Sequence, residues 1–137
     1  MYKVLVDSNI FVDFMFRRMP FYNDSEKVIS LIENKKVKGY VTTSMLMDLH
    51  YIFKRLSHSN ANADLAIQEI LKVFDCIDIS KKDIVSTLEN RHYDFEDSVI
   101  EKCANRTGID YIVTRNIDDF ENTKTKIVSP TEFLNIV

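Results

Sequence analysis

The residues best suited to chemistry in this sequence are carboxylates. Asp7 follows directly on the apolar run Val4, Leu5, Val6, and Asp48 and Asp97 each fall at the border between an apolar helical stripe and solvent. Asp119 closes the polar segment Thr114 to Asp119 that comes after Tyr111, Ile112 and Val113, and Asn116 lies inside that segment. Carboxylates drawn into one cleft repel, and their pKa values rise unless a cation offsets the charge. An all-oxygen donor set favours Mg²⁺ or Mn²⁺, which bind through one or two carboxylates plus waters and substrate phosphates. The chemistry that follows is phosphodiester hydrolysis: in-line attack by a metal-activated water, with the departing 3′ oxygen also stabilised by metal. In that scheme Asp7 anchors the metal, and Asp97 with Asn116 or Asp119 completes its shell directly or through water. Asp48 either binds the metal or orients the attacking water.

Each of these residues also has a plainer role open to it. Asp7 suits a helix cap, Asp97 a first-turn acid facing the helix dipole, Asp48 an exposed helix acid, and Asn116 and Asp119 loop caps. The chain has 21 acidic residues, so most are solvated charges, and Asp94, Asp13, Asp110 and Asp118 rank below the set above. No histidine base is required; His50 and His92 read as surface or helix residues and His58 as part of a polar turn. Arg17, Arg18, Lys54, Arg55 and Arg115 are the cations on the inferred cleft side, available to phosphate but solvated by default. Ser8, Asn9 and Thr114 sit near enough to strand ends to orient metal waters, whereas Phe11, Phe14, Phe16 and Phe21 read as core or partner-surface rings.

Alternating elements position the acids. Val4 to Val6 is short and continuously apolar, as suits a central parallel strand covered on both faces. A helical pattern runs from Asn9 to Phe16, and "NDSEKVISLIENKKVKG" gives a second helix with Asn23, Asp24 or Ser25 as cap and Gly39 as stop. "GYVTTS" reads as a strand and helix cap. Met45, Leu46, Leu49, Ile52, Phe53 and Leu56 then recur at three and four, which marks an amphipathic helix carrying Asp48 on its flank. After the polar break "SHSNANAD", Leu65 to Phe74 reads as a helix, "CIDIS" as a short strand and Ser80 as the next cap. "YDFEDSVIEKCANRTGID" starts with acids and ends at Gly108, as a helix does; "YIVT" is a second buried strand, a weaker one lies near Ile127 and Val128, and Pro130 opens the last helix. Strands alternating with helices predict an α/β fold with a mainly parallel sheet. In such sheets ligands bind beyond the carboxyl ends of the strands, where Asp7 and the segment after Val113 fall.

Composition narrows the classes. A chain of 137 residues suits one domain, here taken as 1–137, and two glycines and two prolines argue against long linkers or disorder. The N-terminus lacks a secretory pattern and no apolar run approaches the roughly 20 residues that span a bilayer, so the expectation is a cytoplasmic protein without membrane contact. Cys76 and Cys103 each lie among apolar residues and read as buried free thiols. A net charge of −3 does not advertise a nucleic-acid binder, yet an acidic metal centre can coexist with basic residues that meet phosphates. A haloacid-dehalogenase-like phosphatase would need a second aspartate where Asn9 stands. A receiver domain would need a phosphoacceptor ending a middle strand and a lysine ending the last, which "CIDIS" and "KIVSP" do not supply.

Taken together, "VLVDSNIFVDFM", "TTSMLMDLHYIFKR", "DFEDSVIEKCANRTGIDYIVTRNIDDF" and the closing "SPTEFL" resemble the PIN-domain family, especially its bacterial ribonuclease-toxin-like, VapC-like members. The third segment is the most specific, because it joins an acidic helix start, a glycine stop, a buried strand and a polar loop. The resemblance implies a central parallel sheet of about four to five short strands with helices on both faces. It also implies three or four acids that bind Mg²⁺ or Mn²⁺ and cleave single-stranded RNA, Asp7 matching the first and Asp97 the third. Asp48 stands where many members carry glutamate. Asn116 stands where many place the fourth acid; its carbonyl can ligate a hard cation but brings no charge, which Asp119 would then supply. Further implications are a homodimer and an antitoxin protein that restrains the toxin; the run Ile10 to Phe16 offers more apolar surface than one core-facing stripe requires, which makes Phe14 and Phe16 the interface candidates. The alternative is a binding module of the same fold whose metal site has decayed.

Overall fold

The computed structural model describes residues 1–90, 94–117 and 125–137; His92, Asp118 and Asp119 lie outside them. The elements run β1 (Lys3–Val6), α1 (Ser8–Met15), α2 (Tyr22–Glu33), β2 (Lys38–Thr42), α3 (Thr43–Ser57), α4 (Asn60–Val73), β3 (Asp75–Ile77), α5 (Lys81–Glu89), α6 (Phe95–Arg106), β4 (Tyr111–Val113), β5 (Lys126–Val128) and α7 (Pro130–Ile136). The described strands form one five-stranded sheet in the order β3-β2-β1-β4-β5, every pairing parallel. β1 lies in the middle, and Val4, Leu5 and Val6 are fully buried, as a strand covered on both faces must be.

Strand order decides where the helices go. From β1 the chain steps outward to β2 and β3, and then crosses back over to β4 on the far side of β1. Right-handed crossovers in opposite directions put α1 to α4 on one face and α5 with α6 on the other. Packing follows this division: α1 meets α2 and α3, α3 meets α4, and α5 meets α6. The order reverses at β1, between its neighbours β2 and β4, so a crevice opens beyond the carboxyl ends of β1 and β4.

Several local expectations need correction. Gly39 does not stop a helix; it sits inside β2, where an added Cβ would come within 2.8 Å of Ile32 and the Phe74 ring. α2 ends at Asn34 through Lys35, which takes the left-handed conformation (φ +58°), while Lys36 N–H donates to the Leu31 carbonyl at 2.9 Å. None of Asn23, Asp24 or Ser25 caps that helix, since it already begins at Tyr22 after Phe21, with no side-chain cap. The polar stretch after Ser59 is the first turn of α4, capped by the Ser59 hydroxyl, so this helix starts five residues before Leu65. Cys76 is exposed on edge strand β3 rather than buried, whereas Cys103 is buried and both thiols are free. Ser80, Gly108 and Pro130 act as read: Ser80 forms a capping box with Asp83, Gly108 adopts φ +72° after α6, and Pro130 opens α7. No described helix is long and apolar enough to cross a membrane.

Candidate active site at the carboxyl edge of the sheet

Asp7 occupies the reversal point. β1 ends at Val6, and the Asp7 N–H still donates across to the Val113 carbonyl at 3.0 Å, which fixes the residue against β4. Its side chain then caps α1, with Oδ1 accepting from Ser8 N–H at 2.8 Å. Oδ2 accepts from the Thr114 hydroxyl at 2.7 Å and from the Asn9 side-chain amide at 3.2 Å. Thr114, fully buried, in turn accepts from the Asn116 N–H at 3.1 Å, so the loop after β4 is tied to Asp7 through one hydroxyl. Burial pushes the Asp7 carboxyl above its ordinary value of 3.8, against the pull of the Thr114 and Ser8 hydrogen bonds and the Arg115 charge. Asn9 Oδ1 is buried without a hydrogen-bond donor among the described residues.

A second group of acids gathers where α3 meets α6. Helices of parallel crossovers run antiparallel to the strands, so the N-termini of both helices lie at the same edge of the sheet as Asp7. α3 is capped by the Thr42 hydroxyl and carries Asp48 in its second turn. α6 is capped by Asp94, whose Oδ1 accepts from the Asp97 N–H at 3.1 Å, and it presents Glu96 and Asp97 in its first turn. Glu96 is hydrogen-bonded to Asp48, and that bond chiefly, with burial and the charges of Asp48, Asp97 and Asp94, pushes its carboxyl up to about 7. Glu96 therefore holds its proton far more tightly than a free carboxyl, beside a second acid on a different helix. Asp97 is half-buried, Asp48 and Asn116 are exposed.

Beside Asp7 lies a pair that reading the sequence for metal ligands passed over. Asp13, fully buried, receives a bidentate grip from Arg115, Nε to Oδ2 at 2.7 Å and Nη2 to Oδ1 at 3.2 Å, and the guanidinium lies 4.0 Å from the centre of the Phe21 ring. This clasp joins α1 to the loop after β4. A signal existed, since Asp13 interrupts the apolar run Ile10 to Phe16 on a buried face. Glu96 was passed over because a first-turn glutamate is indistinguishable by pattern from any dipole-complementing acid. His50 is paired with Asp64 at 2.6 Å, and His58 ends α3 in the left-handed conformation, as surface and turn residues.

A family model for the PIN domain matches residues 3–118. The chain belongs to the PIN-domain family. Among solved structures, a toxin–antitoxin complex from Klebsiella pneumoniae aligns over 93% of this chain and 97% of that one, at 18% identity and a TM-score of 0.66. VapBC2 from Rickettsia felis, bound to a DNA fragment from its promoter, covers the same shares at 20% identity and a TM-score of 0.64. Mycobacterium tuberculosis VapC20, a toxin that cleaves the sarcin–ricin loop, aligns over 80% of this chain and 86% of its own at 14% identity and a TM-score of 0.62. At such identities the likeness is one of fold. No curated protein matches the sequence.

In this PIN domain the donor chemistry suits a divalent cation. Asp7 is held with a raised pKa by burial, and Glu96 beside Asp48 carries a raised pKa that a bound cation would bring down. The described residues do not by themselves enclose an ion: no group of three or more Asp, Glu, His or Cys among them has metal-holding geometry. Asp119, the acid expected to add charge beside Asn116, falls outside the described residues.

Proposed function

We propose that this PIN domain is a metal-dependent endoribonuclease, hydrolysing phosphodiester bonds of single-stranded or structured RNA, and the toxin of a toxin–antitoxin pair. The observation that carries the reading is the placement of Glu96 within hydrogen-bonding reach of Asp48 at the edge where Asp7 ends β1, because carboxylates drawn together repel and a hard cation relieves that repulsion. Mg²⁺ or Mn²⁺ would be held by Asp7, Asp48 and Asp97, with Asn116 or Asp119 adding a further oxygen and Glu96 a carboxylate in contact with Asp48. When bound, the ion supplies an activated water and charge stabilisation at the departing oxygen. The chain's own contribution is orientation. Ser8, Asn9 and Thr114 fix the Asp7 carboxylate through three hydrogen bonds, and the Asp13–Arg115 clasp holds the loop that carries Asn116. Toxin membership is supported by the fold shared with the Klebsiella and Rickettsia complexes, and with it come a homodimer and an antitoxin as partners.

The experiment is cleavage of single-stranded RNA by the purified protein with Mg²⁺ or Mn²⁺. Cleavage is expected, is expected to stop with EDTA, and is expected to be lost in Asp7→Asn while the fold persists. Undiminished cleavage by that variant sinks the assignment. Asn116, an uncharged amide where many members carry an acid, favours a second reading as a binding module with a decayed metal site. Thermal melting separates the two, since a cation at 100 times its Kd adds about 2.7 kcal/mol and a decayed site leaves the melting temperature unmoved.

A further inference from the structure

A cleft of about 340 Å³ opens between α1 and α3, next to the acids but of opposite charge. Arg18, Arg55 and Arg115 converge on it, and Val12, Ile52 and Tyr51 supply an apolar and aromatic wall. Ser8 and Asn9 form its inner end, so it begins one residue from Asp7. Arg115 is neutralised by Asp13, but Arg18 and Arg55 are exposed and enter no ion pair among the described residues. Two guanidiniums without an ion pair lining one cleft, in a chain of net charge −3, call for an anion. The Tyr51 ring, 63% exposed, has no structural reason to stay in solvent, whereas an exposed ring beside an arginine is what a nucleobase stacks on.

Helix α3 sets the spacing. Asp48, Tyr51, Ile52 and Arg55 recur at three and four and share one face, with Arg55 about 10 Å along the axis from Asp48. One helix therefore presents an acid of the proposed centre and, two turns on, a cationic hold. A strand approaching carboxylates is repelled by them, and cationic grips on neighbouring phosphates counter that repulsion.

We propose that this cleft is a one-nucleotide subsite for single-stranded RNA, with Arg18 and Arg55 each on one of the two phosphates flanking the nucleotide and Tyr51, backed by Ile52 and Val12, under the base. It rests on the reading of the neighbouring acids as a ribonuclease centre and names the part of the substrate held beside it. An acidic protein segment would satisfy the arginines, but it would leave the exposed ring and apolar wall without a counterpart.

The test uses the full chain carrying Asp7→Asn, so that RNA binds without being cut, and follows the anisotropy of labelled mixed-sequence oligoribonucleotides across a series of salt concentrations. Arg18→Gln and Arg55→Gln are each expected to weaken binding about equally for all sequences and to reduce the slope of log affinity against log salt by about 0.7. Arg55→Lys restores the slope. Tyr51→Ala weakens binding about tenfold and leaves the slope unchanged. These side chains are exposed, so circular dichroism should match the parent. Unaltered affinity and slope in both arginine variants overturns the subsite, as does a loss of grip on an acidic partner protein with RNA affinity intact. The two readings separate with the otherwise native chain: no cleavage together with the binding effects removes the nuclease and leaves the subsite, whereas cleavage at unchanged KM in Arg18→Gln and Arg55→Gln removes the subsite and leaves the nuclease.

Discussion

Asp7 combines two demands that pull against each other. It caps α1 and accepts three hydrogen bonds, which favour its charged form, yet burial outweighs them and lifts its pKa above 3.8. A buried acid whose folded pKa is raised binds its proton more tightly folded than unfolded, so it lowers stability as pH rises from about 3.8 through the raised value. Asp7→Asn removes that penalty. In EDTA, the melting temperature of the variant relative to the parent should climb between pH 4 and pH 8, even as its RNA cleavage is lost. A difference that stays constant across that range, measured by circular dichroism, would mean that Asp7 is not held at such a cost. Gain of stability with loss of function is the pattern expected where a site keeps an unfavourable charge for use.

At the scale of elements, two contacts hold the layers in register. The α5–α6 pair on the back of the sheet is locked by Asp83, only 2% exposed, which takes Arg106 Nε and Nη2 at 2.9 Å each. Burial alone would raise the Asp83 carboxyl, but the Arg106 and Ser80 hydrogen bonds outweigh it and hold it below 3.8. The stabilisation is therefore present above that pH and lost as pH falls through the depressed value. Arg106→Met should cost about 2 kcal/mol in urea unfolding at pH 7, less than a fully buried pair because Arg106 is one-third exposed. Adding Asp83→Asn should recover most of it, because the carboxylate left unpaired causes the loss; no recovery would refute this. On the front, β2 passes so close to α2 and Phe74 that Gly39→Ala should destabilise by about 1–3 kcal/mol through overpacking, read from the same unfolding curves.

At the scale of the whole molecule, charge and apolar surface are unevenly spread. Acids gather at the N-termini of α3 and α6, arginines in the cleft beside them, and Met15, Phe16, Met19 and Phe21 stay between 37% and 66% exposed around the α1–α2 turn. Four large apolar side chains on one turn suit burial against a second copy, in keeping with the proposed homodimer. Sedimentation velocity should find a dimer that Phe16→Ser with Met19→Ser converts to monomer. The proposed antitoxin would place a cation among the acids, so its capture from the native host should weaken with salt and with Asp97→Asn. A monodisperse monomer that recovers no small partner at physiological salt would count against the restrained-toxin reading.

The acid at the end of β1, the α/β alternation, the cap at Ser80, the helix start at Pro130 and the left-handed stop at Gly108 were all legible in the residues alone, because each depends on neighbours a few positions away. The same locality made Gly39 misleading. A glycine after a helical pattern looks like a stop until Ile32 and Phe74, brought in from other elements, show that the demand is for space. Cys76 misled for a related reason: apolar neighbours in sequence do not bury a residue when its strand falls at the sheet edge, and strand order is not written in any local window. The decisive features of the site are of this non-local kind. Asp13 meets Arg115 across 102 positions, and Glu96 meets Asp48 across 48. Side-chain type and spacing determined which residues could bear charge. Which charges would be paired, which acids would be crowded together and which cations would be left facing the cleft was decided only when the crossovers set α1, α3, α6 and the loop after β4 around one edge of the sheet, because electrostatic coupling depends on distance in space and not along the chain.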